Sequence, residues 1–199
     1  MVRHAFALKD KQNRRQAILD AADALFLSGG GALPSAAQIA AKAGLAKGTV
    51  YLYFQTKEEI FAALLLEGWA ALLQEVGGTL GDGKGRRAAR VAAFLQAFIG
   101  YLDRHPGLLR LDALGYGVLE KNLEPEKLKA FKSAFLATLA RTGTVVERVL
   151  NLQKGHGVRV LMRTYALTRG LWQSSRPQGF NKELLEALTE YWRGALAAS

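Results

Sequence analysis

Apolar residues recur along this chain at spacings of three and four, and no segment alternates with period two over the length of a strand. The pattern predicts helices throughout. Ile18, Ala22, Leu25 and Phe26 form one stripe of a helix over 13–27, stopped by Ser28-Gly29-Gly30-Gly31. Pro34-Ser35 opens a short second helix. Ser35 and Gln38 have capping-box spacing, and Gly44 ends the helix after about two turns. A third helix is expected over 47–54. Its run Thr49-Val50-Tyr51-Leu52-Tyr53-Phe54 is β-prone by composition, but it sits between helical signals with no second strand to pair with. Thr56 and Glu59 make another capping box, opening a long amphipathic helix to about Val76. Five glycines within 77–85 read as a joint. Further helices are expected over 86–104, 106–121, 125–150, 157–174 and 181–197, with Pro106 and Pro125 in first turns and Asn181 as an N-cap. The expected fold class is all-α.

Two short helices joined through a glycine turn, after a longer first helix, form a helix-turn-helix pattern. The third helix can be laid out at about 100° per residue. With Val50 at zero, Phe54 falls near ~40° and faces inward beside it. Lys47, Gly48, Tyr51 and Leu52 fall between ~60° and ~200°, on an outward face, and Thr49 and Tyr53 lie along the flank. Tyr51 and Tyr53, two positions apart, cannot both join Val50 and Phe54 in a core. Lys47 can reach a guanine edge or a phosphate, and Tyr51 a thymine methyl or a phosphate. Gly48 lets backbone approach a duplex closely. Thr49 and Tyr53 offer hydroxyls to phosphates, and Lys57 stands where the next helix presents N–H groups to a further phosphate.

Charge agrees with this layout. The chain has 27 Lys and Arg against 17 Asp and Glu, a net charge of +10. Half of that surplus lies in the first 57 of 199 residues, so the N-terminal segment is the denser in positive charge, as expected of an end that faces phosphate. There is no cysteine, which excludes disulfides, thiolate nucleophiles and Cys-ligated zinc. The unbroken apolar run Ile60–Leu66 is too short to span a bilayer, and Arg3, His4, Lys9, Asp10 and Lys11 interrupt any leader-like stretch. The expectation is a cytoplasmic protein with no membrane partner. A basic helical protein on an anionic membrane surface is the alternative reading.

The segments Ser35-Ala36-Ala37-Gln38-Ile39-Ala40, Ala43-Gly44-Leu45, Lys47-Gly48-Thr49-Val50-Tyr51-Leu52-Tyr53-Phe54 and Lys57-Glu58-Glu59-Ile60 agree in order and spacing with the DNA-binding segment of the TetR family of transcriptional regulators, which residues 11–65 closely resemble. The resemblance implies an all-helical homodimer. A helix-turn-helix DNA-binding domain over 11–57 would be joined through the 56–76 helix to a helical ligand-binding and dimerisation domain over 58–199. Most members act as repressors, here of a palindromic double-stranded DNA operator released by a small-molecule effector. Carried over by position, Lys47, Gly48 and Tyr51 would face bases or adjoining backbone, and Ser35, Thr49, Tyr53 and Lys57 would face phosphates. Two positions depart from the family pattern. Ala46 stands where a Ser commonly begins the third helix, and Ala36 and Ala37 stand where some members carry polar, base-reaching side chains.

Beyond residue 80 no motif names a ligand. Aromatic residues at helical intervals are mostly core, and Trp69, Phe98, Tyr101, Tyr116, Phe135 and Tyr165 are the expected pocket lining, with Arg110 or Arg163 as a basic residue that would select an acidic effector. Stripes on the last two helices place Leu161, Trp172, Leu184, Leu188, Tyr191 and Trp192 at a dimer interface. Gly78–Lys84 is one residue short of a phosphate-binding loop, with Gly85 where Ser or Thr must hold magnesium. His4, His105 and His156 share no ligand spacing, so no metal is expected, and no cofactor. Lys84, Arg86, Arg87 and Arg90 form a basic cluster that reads as a solvated helix start. No Ser-His-acid set or carboxylate pair can be argued from spacing, so no catalytic residue and no enzyme activity are expected.

Overall fold

The computed structural model describes residues 2–82, 85–174 and 179–197, and among these there is no strand. The helices are α1 (Val2–Ser28), α2 (Ala36–Lys42), α3 (Lys47–Tyr51), α4 (Lys57–Asp82), α5 (Arg87–Arg104), α6 (Gly107–Leu114), a π-helical turn (Gly115–Leu119), α7 (Glu120–Asn122), α8 (Pro125–Leu150), α9 (His156–Ser174) and α10 (Phe180–Ala197). They form two compact units. One holds Met1–Leu66 with Leu114–Phe131, and the other Glu67–Ala113 with Lys132–Ser199. The division at Leu66, and the grouping of 114–131 with the N-terminal helices, differ from the expected boundary at 57.

In the first unit, Ile18, Leu19, Ala22 and Phe26 of α1 are buried with Ile39 and Ala40 of α2, Val50 of α3 and Ile60 and Phe61 of α4. The Phe26 and Phe61 rings lie 5.9 Å apart, and the Arg15 guanidinium sits over Phe54. Ser35 caps α2 as its spacing predicts: its Oγ accepts from Gln38 N, and Gln38 Oε1 accepts from Ser35 N at 2.9 Å. Gly44 closes α2 at φ 67°, which costs a glycine little, and Leu45 N donates back to Ala40 O. That turn fixes the angle between α2 and α3.

The second unit is built around Trp192, which is fully buried. Its indole packs on Phe94 at 4.9 Å and donates to Thr164 Oγ1 at 2.9 Å. The contact of Phe94 with Trp192 and the hydrogen bond from Asn181 to Asp103 make α5 and α10 antiparallel neighbours. α8 and α9 meet at Gly143 and Gly157, where a Cβ on Gly157 would overlap the Gly143 carbonyl. Glu147 of α8 accepts from Gly155 N and Gly157 N, capping the start of α9.

Several expectations are corrected here. α4 runs through Gly77, Gly78 and Gly81 to Asp82 instead of ending near Val76. Each mid-helix glycine costs about 0.5–1 kcal/mol. Val76 and Leu80 are both wholly buried, and that burial, about 1.5–3 kcal/mol per side chain, outweighs the penalty. α3 stops at Tyr51, with residues 52 and 53 in a turn. The expected 106–121 helix breaks at Gly115 into a π-helical turn. The proposed dimer residues Leu161, Leu184, Leu188 and Trp192 are spent inside the subunit, between 0% and 3% exposed, and so offer a partner nothing. An apolar stripe marks a face that must be covered, and here the neighbouring helices cover it. Trp172 packs edge-on against Phe180 at 5.1 Å. Residues 57–81 are, as a helix, long and apolar enough to cross a membrane, although no single run within them is. Ile60, Phe61, Leu65, Trp69, Leu72, Leu73 and Val76 are instead buried in protein. Lys84 lies outside the described residues, as do the His4 and Tyr116 side chains.

The two kinds of glycine should respond oppositely to a methyl group. Gly157→Ala should lower stability by about 1–3 kcal/mol, because backbone must move. Gly81→Ala should raise it by about 0.5–1 kcal/mol, since an added Cβ there meets nothing within 4 Å. Urea denaturation followed by circular dichroism measures both.

Candidate nucleic-acid interface and sensor core

The α3 segment has the orientation that its angular layout requires. Val50 is fully buried and Phe54 nearly so, while Lys47, Gly48, Tyr51 and Leu52 are exposed and Thr49 and Tyr53 half-buried. The Lys47 ammonium stands 5.8 Å from the Tyr51 ring centroid, a cation–π contact that keeps both side chains on the outward face. Gly48 sits in the first turn with open space where a Cβ would stand. Nothing in the folded subunit therefore needs a glycine there. Ala46 provides no side-chain cap, so the first turn of α3 keeps unpaired backbone donors.

The flanking positions divide more finely. Ser35 is exposed, but its hydroxyl already donates to Gln38 Oε1 at 2.9 Å, so its structural task is to start α2. Lys57 opens α4, followed by Glu58 and Glu59. Glu59 takes its N–H bond to Thr56 Oγ1 and accepts from Gln55 N at 3.4 Å. It also pairs with Lys127 at 3.7 Å. The expected reciprocal box thus closes on Gln55 in place of Thr56. The positive end of α4 is answered by its own carboxylates, which leaves the Lys57 ammonium, and not the helix terminus, to meet a phosphate. Leu52, 82% exposed, is a position that residue-by-residue reasoning left out of the contact set. The angular layout placed it on the outward face, but its apolar side chain carried no polar signal. It can meet thymine methyls.

Three of the six expected pocket aromatics come together in the second unit. Tyr165 lies 5.0 Å from Trp69 and 5.1 Å from Phe135, in edge-to-face contacts. Phe98 instead stacks on Phe94 in the core, and Tyr101 stacks on His105 and donates to Gly68 O at 3.4 Å. The aromatic trio surrounds Asp112, 2% exposed, which sequence reasoning missed. Its Oδ1 accepts from Trp69 Nε1 at 3.1 Å and from Tyr165 OH at 3.0 Å, and Arg169 Nε lies 3.3 Å from Oδ2. Arg169 also donates to the Asp112 carbonyl. The signal was present: Leu108, Leu111 and Asp112 lie on one helical face, so a charge falls on an apolar stripe. Arg110 and Arg163, the expected basic groups, are exposed, and the basic group beside the aromatic trio is Arg169.

Burial pushes the Asp112 carboxyl above the usual carboxylate range, against the opposing pull of Arg169 and of the two hydrogen bonds. Burial and the neighbouring Asp112 charge likewise drive the Tyr165 phenol upward. The four side chains form one electrostatic unit, which could respond to a charged ligand as a whole. Among the described residues no group of three or more His, Cys, Asp or Glu is placed to hold a metal ion.

Residues 18–64 match the family described as bacterial regulatory proteins, tetR family, and residues 66–196 match the tetracyclin repressor-like C-terminal domain. The chain belongs to the TetR family. It is a DNA-binding transcriptional regulator, and members respond to ligands and act as dimers. It is 28% identical over 103 residues to the nucleoid occlusion factor SlmA of Idiomarina loihiensis, and the match spans about half, 52%, of each chain. Its fold resembles that of a protein from Mesorhizobium loti described as a TetR-family transcriptional regulator. The TM-score is 0.66 at 21% identity, covering 94% of this chain and 96% of that one. A TetR-family regulator from Streptomyces coelicolor gives 0.63 at 17% identity, over 92% and 99%. The N-terminal match contains every expected DNA-facing residue, from Ser35 to Lys57.

In this TetR-family regulator, Gly48→Ala separates folding from DNA binding. Thermal stability should hold or rise, while affinity for DNA should fall at least about tenfold, the equivalent of ~1.4 kcal/mol, if the methyl stands where a duplex backbone would approach. Electrophoretic mobility shifts beside a melting curve read both. Asp112→Ala should cost about 3–5 kcal/mol by removing the carboxylate that answers the Arg169 guanidinium, and the double substitution Asp112→Leu with Arg169→Met should recover most of that loss, both read by urea denaturation.

Proposed function

We propose that this regulator is a cytoplasmic repressor that binds a palindromic operator as a homodimer and is released by a small-molecule effector. The observation that carries the reading is α3, which buries Val50 and turns Lys47, Gly48, Tyr51 and Leu52 outward together. Lys47 and Tyr51 would read base edges, with Thr49, Tyr53 and Lys57 holding phosphates. The membrane alternative loses support because the apolar residues of α4 are buried in the protein.

For the effector, Trp69, Phe135 and Tyr165 supply an aromatic surface, and the half-buried Tyr165 and Arg169 are the polar groups within reach beside the buried Asp112. That arrangement favours a planar apolar body with an acidic group competing for Arg169. For the dimer, the outer face of α9 and α10 replaces the buried stripe. Arg163, Ala166 and Gly170 on α9 and Gly194 on α10 are exposed, Ala187 and Tyr191 beside them are half-buried, and Arg163 lies close enough to oppose the upward shift that burial gives the Tyr191 phenol. Small residues there permit close helix approach across a two-fold axis, which would set two α3 helices about 34–36 Å apart.

Selection from random duplex DNA should enrich an inverted repeat whose binding weakens steeply as salt rises. Lys47→Ala should cost about 1–3 kcal/mol and relax base preference, whereas Lys57→Ala should weaken all sequences alike. Ala166→Arg should yield a folded monomer by light scattering that no longer selects the repeat. Selection without an enriched repeat, or a wild-type monomer at micromolar concentration, would overturn the reading.

A further inference from the structure

Within the second unit α4 and α8 run parallel. The Trp69 ring meets Phe135, the Thr142 hydroxyl donates to the Leu73 carbonyl at 3.4 Å, and the Thr142 methyl faces Gly77. Between the two helices lies a groove of about 490 Å³, lined from Ala70 to Gly81 on one side and from Thr138 to Arg148 on the other. All of its lining residues belong to that unit, and none of them is Trp69, Asp112, Phe135, Tyr165 or Arg169. Gly78 and Gly81 are exposed, and a Cβ on either would meet nothing within 4 Å. Packing therefore requires a glycine at neither position, although each weakens the helix. Over them a guest can rest directly on the α4 backbone, beside the apolar side chains of Leu73 and Val145.

Arg141 and Arg148 are the only charged residues among those that line the groove. Seven residues apart, they stand on one edge of α8, about 10.5 Å from each other along its axis. Arg141 is oriented by Thr138, whose Oγ1 accepts from its Nη2 at 2.9 Å. Among the described residues neither guanidinium has an ion-pair partner. The carboxylates nearest them in sequence are engaged elsewhere: Glu75 pairs with Arg104, and Glu147 accepts from Gly155 N and Gly157 N. The two cations are thus held apart and left unanswered, on one side of a floor that is uncharged between them.

We propose that this groove binds a linear dicarboxylate, with one carboxylate on Arg141, the other on Arg148, and the chain between them lying over Gly78 beside Leu73 and Val145. Two cations two helical turns apart are matched by two anionic groups on a spacer, and not by one compact anion. Each guanidinium can pair bidentately with a carboxylate, and apolar burial holds the spacer. The size of the groove falls in the range of small-molecule sites. The site shares no residue with the Asp112 cluster or with α3, so it does not depend on the reading of either.

Titration calorimetry with azelate, a linear dicarboxylate whose extended length is close to that spacing, tests this on the whole chain. One saturable site per chain is expected. Succinate, too short to reach both cations, and nonanoate, which lacks the second carboxylate, should each bind at least tenfold more weakly. Arg141→Ala and Arg148→Ala should each weaken azelate at least tenfold and leave it no tighter than nonanoate. Arg148 also stands in the last turn of α8, where a cation suits the helix dipole, so a melting curve accompanies its variant. Gly78→Leu places a side chain over the floor at an exposed helical position. It should abolish binding while the melting temperature holds or rises, so lost binding there is not lost folding. Absence of saturable azelate binding overturns the proposal. So does nonanoate binding as tightly as azelate, which means a site for one carboxylate, or succinate or inorganic phosphate doing so, which means a site for compact anions. Azelate binding that survives Gly78→Leu overturns it as well, and if that binding is lost on Tyr165→Phe the ligand lies at the aromatic cluster instead. Operator binding is measured separately, so either reading can fail alone.

Discussion

A carboxylate buried in an apolar interior must be answered on every side, and in this protein the answer to Asp112 organises the C-terminal unit. Trp69 comes from α4, Asp112 from α6, and Tyr165 and Arg169 from α9. Phe135 of α8 closes the aromatic side. Apolar packing alone tolerates sliding, because one methyl contact replaces another at little cost. Hydrogen bonds to a buried charge do not slide, since any displacement strands a polar group without water. The cluster therefore fixes the register of three helices that the surrounding leucines would hold only loosely. The same stringency couples the four partners, so a ligand that competed for Arg169 would change the balance for all of them together.

The helix that carries Trp69 begins in the first unit: the Thr56 cap stands immediately before α4, thirteen residues ahead of Trp69 in sequence. α8 also spans both units, carrying Lys127 against Glu59 at the start of α4 and Phe135 within the aromatic cluster. In a regulator that responds to ligands, the coupling between operator and effector affinities is reciprocal. Of the glycines of α4, Gly77, Gly78 and Gly81 lie beyond Trp69, whereas Gly68 immediately precedes it and packs against Leu108, where a Cβ would clash.

Local signals were legible in the sequence wherever one residue type has one physical use. The Ser35 cap, the Gly44 turn, the inward Val50 and Phe54 and the outward Lys47, Gly48 and Tyr51 could all be read from spacing. Features set by tertiary contact could not. The glycines after Val76 looked like a joint because their penalty is local, whereas the compensating burial of Leu80 depends on residues distant in sequence. The stripe on α10 announced a covered face but not what covers it, and Trp192 went to Phe94 and Thr164 within the subunit. Asp112 was hidden for a related reason. Its partners are 43, 53 and 57 residues away, and only its place on an apolar stripe marked it.

The two basic regions of the chain show why charge alone does not assign a partner. Around α3 the cation Lys47 stands on an exposed face beside a glycine with open space over it, so an extended, rigid polyanion can approach the backbone along the whole helix. Around the start of α5 the cations Arg87 and Arg193 line a groove whose other lining residues are uncharged and mostly apolar, so a duplex would meet isolated cations and leave the apolar surface unfilled. Phosphate contacts add by number, so a polyanion gains most from a surface that presents several at once. The same residue type thus stands in different settings, and it is the surface behind the charge, open backbone in one case and apolar groove in the other, that distinguishes them.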